Sequence, residues 1–196
     1  MPIKNNYFDV MYRGGCGELF HKNYAKWFAR EYLTKDMKIL ELGNGKGYLT
    51  RALKERGYDI VGYDYPEIDL EKELNIRSNY FDVVICRSAI EHLKNIFTIV
   101  EETKRMLKDG GIAIFTTGDV SRQGYAWYED PTHHTVFTPA RLKNLFLFNG
   151  FKVIRLKHYG NIPFIWRYTW RAFDYCWFNA KSFVGVFENT KEVQDE

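Results

Sequence analysis

Three glycines at alternate positions, Gly43, Gly45 and Gly47, follow an apolar run and precede a helix-like stretch in ILELGNGKGYL, residues 39–49. A residue without a Cβ lets the backbone turn sharply and approach a ligand closely. Two carboxylates bracket the turn: Glu41, two residues before the first glycine, and Asp64, 21 residues beyond it, at the end of the next apolar stretch. A dinucleotide fingerprint G-x-G-x-x-G fails here, because Tyr48 occupies the place of the third glycine and a start at Gly45 puts Thr50 there. A second group lies in EDPTHHTVFTPARLKNLF, residues 129–146, where His133 and His134 share a loop. Imidazole is the side chain that exchanges protons near neutral pH. Glu91 and His92 form a third pair. Taken alone, the glycines fit equally a cofactor loop and a tight turn with surface acids beside it.

The pattern of elements decides where these groups can meet. Helix-like and strand-like segments alternate: a helix over 17–33, a strand over 37–42, a helix over 46–57 and a strand over 58–64. Further strands are predicted at 81–86, 111–117, 151–158 and 182–187, with helices near 95–107 and 139–149. Thr138 before Pro139 is a good N-cap and first helical residue. Such alternation specifies an α/β sheet, and a glycine-rich turn after its first strand sits where doubly wound folds bind ligands. Only 16 residues separate Asp64 from Phe81, so a full helix and a full strand do not both fit between them.

Composition narrows the class. The chain has 196 residues, enough for one domain over 1–196, with no repeat, linker or low-complexity tract. A net charge of +3 from 28 basic and 25 acidic side chains gives no strong basic field, so nucleic acid is not an expected partner. Cys16, Cys86 and Cys176 are odd in number and lack C-x-x-C spacing, which points away from a disulfide framework and towards a reducing compartment. The first 15 residues carry no apolar run like a signal peptide, so a cytoplasmic location is expected.

E-L-G-N-G-K-G with Asp64 downstream resembles the first motif of class I S-adenosylmethionine-dependent methyltransferases. NYFDVVICRSAIEHLKN, 79–95, and MLKDGGIAIFTT, 106–117, resemble two later motifs of that family, in order and at sensible distances. The resemblance covers most of residues 37–159. It implies a Rossmann-like three-layer sandwich with a mostly parallel sheet of six to seven strands and an antiparallel last strand, here shortened between 65 and 80. It also implies S-adenosyl-L-methionine as cofactor. In that family the glycines let the backbone pass the methionine part, so Gly43, Asn44 and Gly45 would line it, with Glu41 near its amino group. Asp64, followed by Tyr65, would accept both ribose hydroxyls, as a carboxylate can. Asp69 and Leu70 would flank the adenine, and Arg87 would contact the cofactor through its backbone. The shortened stretch departs from the pattern exactly where the adenine contacts fall. Arg13 would pair with the methionine carboxylate or stand in solvent.

D-P-T-H-x-x-x-F-T-P leading into a helix resembles a subset of these enzymes associated with glycan, lipid or other small-molecule biosynthesis. The matching histidine is His133, which would take the proton of an acceptor hydroxyl; the alternative is that Asp130 and His133 only hold the loop together. Glu91 and His92, together with a distant histidine, resemble the metal site of RNA terminal 2′-O-methyltransferases, but Ser88 stands where those enzymes carry a further glutamate, and no metal is expected. NIPFIWRYTWRAFDYCWF, 161–178, is too short and charged to span a bilayer and is expected to be a lid over the acceptor, a dimer surface or a peripheral membrane contact. Residues 189–196 are expected to be a solvated tail. The expected function is O-methylation of a hydroxyl on a glycan, lipid-linked intermediate or other small molecule. Two alternatives stand: N- or C-methylation of a metabolite such as a quinone precursor, and a cofactor-binding accessory protein without turnover.

Overall fold

The computed structural model describes residues 18–158 and 181–190. Arg13, the aromatic segment 161–178 and the final six residues lie outside them.

Helix α1 (Glu18–Tyr32) leads into strand β1 (Lys38–Leu42), helix α2 (Tyr48–Lys54) and strand β2 (Asp59–Tyr63). After strand β3 (Phe81–Arg87) come a 3₁₀ turn at Ile90–His92, helix α3 (Ile96–Met106) and strand β4 (Leu107–Gly118). A short helix α4 (Val120–Gln123), a second 3₁₀ stretch (Gly124–Glu129) and helix α5 (Pro139–Phe148) precede strands β5 (Phe151–His158) and β6 (Ser182–Asn189). Thr138 caps α5, its hydroxyl accepting from Arg141 N at 3.2 Å, with Pro139 at the first turn.

Six strands form one sheet in the order β2-β1-β3-β4-β6-β5. The first four run parallel, and β6 is inserted antiparallel between β4 and β5. Alternate residues of the central strands feed opposite faces. Leu40, Leu42, Val84, Cys86, Ala113 and Phe115 pack on the α3 and α5 side, while Ile39, Val83, Ile85 and Ile114 pack against α1 and α2. Apolar side chains on both faces are the signature of a sheet covered twice, which gives three layers.

Between Asp64 and Phe81 the chain holds neither helix nor strand, so β2 is an edge strand. Polar bonds secure this stretch instead. Glu102 Oε2 accepts from Leu74 N at 2.9 Å, and Arg105 donates to Leu74 O, Ile76 O and Ser78 Oγ. Glu71 Oε1 accepts from Lys94 N and Asn95 N at the start of α3. Leu70 and Leu74 add apolar anchors in the core.

The C-terminal strand runs further than its sequence pattern indicates. Asn189 is buried, and its amide donates to the carbonyls of Lys104, Leu107 and Lys108. That position therefore belongs to the sheet and not to a solvated tail. Strand β4 also begins earlier than expected, at Leu107, because the Gly110–Gly111 pair forms an irregularity in its pairing with β3 and not a turn ahead of it.

Candidate active site

The carboxyl ends of β1 to β4, the end of β5 and the start of β6 share one edge of the sheet, as Gly118 pairs with Ser182 and His158 with Phe183. Gly43, Gly45 and Gly47 all have positive φ, at 67°, 55° and 68°. At Gly43 a Cβ would stand 2.5 Å from Ala89 Cβ, so a side chain there is excluded by space as well as by conformation. The loop is tied to β2 by Gly43 N and Asn44 N, both donating to Tyr63 O.

Asp64 closes the arrangement from the tip of β2. Its Oδ2 accepts from Gly45 N at 2.5 Å and its Oδ1 from Tyr65 N at 2.7 Å, which aims the carboxylate across the glycine loop. The Tyr65 ring is exposed. Glu41 lies beneath the loop, 1% exposed, with Oε2 accepting from Thr50 Oγ1 at 2.5 Å. Burial pushes its carboxyl above the usual range, while the Arg87 guanidinium and the Thr50 hydroxyl pull it down. The Arg87 side chain is turned to α1, 5.0 Å over the Tyr24 ring. Asn44 points its amide inward, filling the space left by Gly62 on β2. Leu70 is buried beside Gly43, whereas Asp69 is turned to Lys72 at 3.0 Å and to the Glu71 amide. The Lys72 ammonium holds the Asp69 carboxyl below its ordinary value, so it stays an ionised acceptor.

Beyond Ala89, which touches the glycine loop, the 3₁₀ turn Ile90–His92 meets the loop 130–135. His134 N and Thr135 N both donate to Glu91 O, and Thr135 Oγ1 donates to Leu93 O. His133 is thereby drawn inside, stacked on Trp127 at 4.3 Å between centroids and 4.9 Å from the His92 ring. The His134 side chain is exposed. His133 Nδ1 faces Trp127 O at 2.9 Å, and a carbonyl only accepts, so Nδ1 carries the proton and Nε2 the lone pair. Asp130 Oδ2 stands 3.7 Å from that Nε2. Asp130 Oδ1 takes both the amide and the hydroxyl of Thr132, so the Thr132 oxygen is left to accept from His92 Nδ1 at 2.8 Å. Burial, then the neighbouring His133, pushes His92 down to about 4. Burial pushes Glu91 up to about 7, with Asp130 adding to the rise.

Glu91, His92 and His133 each bring a potential ligand atom within 4.8 Å of the others. The sequence set a metal aside because Ser88 stands where such a site carries a further glutamate; the fold brings the His133 ring beside His92 and Glu91 with that position still a serine. A further pair escaped the sequence altogether. Asp119, 2% exposed at the end of β4, takes a 2.7 Å bond from His158 Nε2 at the end of β5. Two residues so distant in sequence carry no shared local pattern, although both end a strand on the ligand edge.

The methyltransferase-domain family model matches residues 17–156. Among curated proteins, the ubiquinone biosynthesis O-methyltransferase of Rickettsia akari is 28% identical over 109 residues, covering 46% of this chain and 43% of that protein. The enzyme of the same description from Rickettsia canadensis is 24% identical over 170 residues, covering 70% and 71%. The chain thus spans less than half of the first relative. Among solved structures, a SAM-dependent methyltransferase from Archaeoglobus fulgidus superposes with a TM-score of 0.73 at 16% identity, covering 95% of this chain and all of that one. Phosphoethanolamine N-methyltransferase 2 of Haemonchus contortus, in complex with S-adenosyl-L-methionine, gives 0.68 at 17%, covering 96% and 59%. With the glycine loop, the Asp64 carboxylate across it and the strand order around them, the family match establishes that this chain belongs to the class I S-adenosylmethionine-dependent methyltransferases.

Proposed function

We propose that the chain moves the methyl group of S-adenosylmethionine to a hydroxyl oxygen of a small molecule. The observation that carries this reading is the orientation of His133. Its ring is clamped by Trp127 and by the Trp127 carbonyl with Nε2 as the acceptor nitrogen, and an acidic group stands beside that nitrogen. An imidazole so held can take a proton on Nε2 without reorienting. An amine in its uncharged form attacks without a strong base beside it.

Asp64 would bind the ribose diol, Leu70 and Asp69 the adenine, and the backbone of Gly43, Asn44, Gly45 and Arg87 the rest of the cofactor above Glu41. Tyr65 follows the ribose carboxylate and presents an exposed ring at the same edge. The hydroxyl oxygen attacks the methyl carbon in line with the departing sulfur, giving a methyl ether and S-adenosylhomocysteine, while the proton passes to His133 Nε2. The names of the curated relatives support an oxygen acceptor, and aromatic hydroxyls of quinone-precursor type come first among candidates, ahead of glycan and lipid-linked hydroxyls.

The test is a panel of these three hydroxyl classes together with amines, each incubated with cofactor and read for S-adenosylhomocysteine and for a methylated product by mass. Transfer to a hydroxyl is expected. Methylation confined to amines or carbon would overturn the reading.

A further inference from the structure

We propose that His158, steered by the buried carboxylate of Asp119, binds the methyl acceptor through a second hydroxyl, distinct from the one that is methylated, and so selects acceptors that carry both. The two residues end strands at the ligand edge, Asp119 just after β4 and His158 at the close of β5. Asp119 Oδ1 takes Ser121 N at 3.0 Å and Ser121 Oγ at 2.6 Å, which caps α4, and its Oδ2 takes His158 Nε2 at 2.7 Å. Burial raises the Asp119 carboxyl, but the hydrogen bonds from Ser121 and His158 outweigh it and hold the group below the usual carboxylate range. Both of its oxygens therefore only accept.

The proton of that contact sits on His158 Nε2, and Nδ1 of the neutral ring carries the lone pair. Among the described residues Nδ1 has no hydrogen-bond partner, and the side chain is 29% exposed. Capping alone does not call for a charge here, since α4 has four residues and asparagine caps as well as aspartate. What the carboxylate adds is a fixed tautomer and orientation of the His158 ring, whose flank meets Phe183 at 6.0 Å between centroids. A buried carboxylate on one nitrogen of an imidazole, with the other nitrogen left to a ligand, is the means by which enzymes aim a histidine.

Trp127 ties this pair to His133. Its indole stacks on the His133 ring at 4.3 Å, and its Cζ3 lies 2.7 Å from where a Cβ on Gly118 would stand, so only a residue without a Cβ leaves the ring its place beside Asp119. His133 and His158 are thus linked through one indole, and both side chains reach solvent. An acceptor whose reacting oxygen meets His133 Nε2 extends past Trp127 to His158 Nδ1. One that lacks the second hydroxyl leaves Nδ1 unpaired once water is displaced, which is how a polar contact rejects an analogue. The inference rests on the O-methylation reading for what happens to the first oxygen; binding at His158 needs no turnover and is tested without it.

Full-length protein loaded with S-adenosylhomocysteine is titrated by calorimetry with matched pairs: a dihydroxybenzene and its monohydroxy analogue, and a glycoside and its deoxy analogue. In at least one pair the member with the extra hydroxyl should bind about 10-fold tighter. His158→Phe, checked for an unaltered circular-dichroism spectrum, should abolish that difference and leave affinity for S-adenosylhomocysteine unchanged. Asp119→Asn, which keeps the cap and an oxygen for Nε2–H, should retain more of the preference than His158→Phe. In turnover His158→Phe should raise the acceptor KM about 10-fold with kcat nearly intact, since a ground-state contact is lost. A folded His158→Phe that keeps the preference, or unaltered protein indifferent to the second hydroxyl in every pair, overturns the proposal. Product analysis separates the two ideas. A His158-dependent preference in binding with no transfer to any hydroxyl leaves the His158 site standing and removes the O-methylation; transfer to a hydroxyl without the preference does the reverse.

Discussion

The glycine loop and the junction of residues 90–92 with 130–135 lie side by side, joined where Ala89 fills the space at Gly43, yet they are built by different means. The loop is assembled from a continuous piece of chain, positions 41–64, and held by backbone donors on Tyr63 O and on Asp64. The junction draws together groups about 40 residues apart: two backbone amides close on Glu91 O, and its inner lining is made of side chains, Thr132, Asp130, Trp127 and the two imidazoles. A cradle made of backbone is fixed by glycine spacing and admits few sequences. A junction made of side chains can exchange its members while the frame stays the same, which is how one fold serves many acceptors.

The sharpest way to break that distinction is to strain the point of contact. Gly43→Ala adds a Cβ at φ 67° and against Ala89, and the two costs together should lower stability by about 2 to 4 kcal/mol, with cofactor affinity falling in parallel. Melting curves with and without S-adenosylhomocysteine measure both. Next in size, His133→Ala should lower turnover ~10²-fold with cofactor affinity nearly intact, since only the junction is touched. A matching loss of cofactor binding would show that the two regions are not separable. Asp64→Ala should do the converse, weakening cofactor binding by about 1 to 3 kcal/mol in calorimetry.

Outside both regions, Glu102 tests what secures the shortened stretch. The hydrogen bond from Arg105 holds its carboxyl below the ordinary ~4.3. The folded value is depressed, so this contribution is present above ~4.3 and is lost as pH falls through the folded value. Glu102→Gln should remove that acid sensitivity and cost about 1 kcal/mol at neutral pH, a figure discounted because Arg105 is nearly a third exposed. Denaturant unfolding at pH 7 and pH 3 reads both effects. The smallest change is expected from His134→Ala, within about twofold in turnover, because its side chain is exposed and only its backbone engages Glu91.

The sequence made the first of the two regions legible and the second only in part. Period-two and period-3.6 patterns located the six strands of the described residues and four of the helices, and the 16-residue gap correctly limited what lies between Asp64 and Phe81. That neither a strand nor a helix forms there depended on Glu71, Glu102 and Arg105, whose polar reach over some 30 residues leaves no periodic trace. His133 was visible because a loop pattern pointed to it. Its meeting with Glu91 and His92 was not, since it follows from two amides of the 134–135 backbone closing on one carbonyl. Asp119 and His158 were invisible for the same reason: only the insertion of β6 brings the ends of β4 and β5 to the same edge.

That insertion also sets an order on synthesis. Among the described residues strand β6 is the sole partner of β5 and a lateral partner of β4, so a third of the sheet waits for residues 182–189 to leave the ribosome. Until then β4, with its buried Ile114 and Phe115, has one unpaired side, the kind of exposed edge on which chains associate wrongly. The glycine loop and Asp64 can be in place by the time residue 87 has emerged, whereas the His158–Asp119 contact has to await the strand between them. The nascent chain therefore completes its glycine loop first and the β4–β6–β5 end of the same edge last.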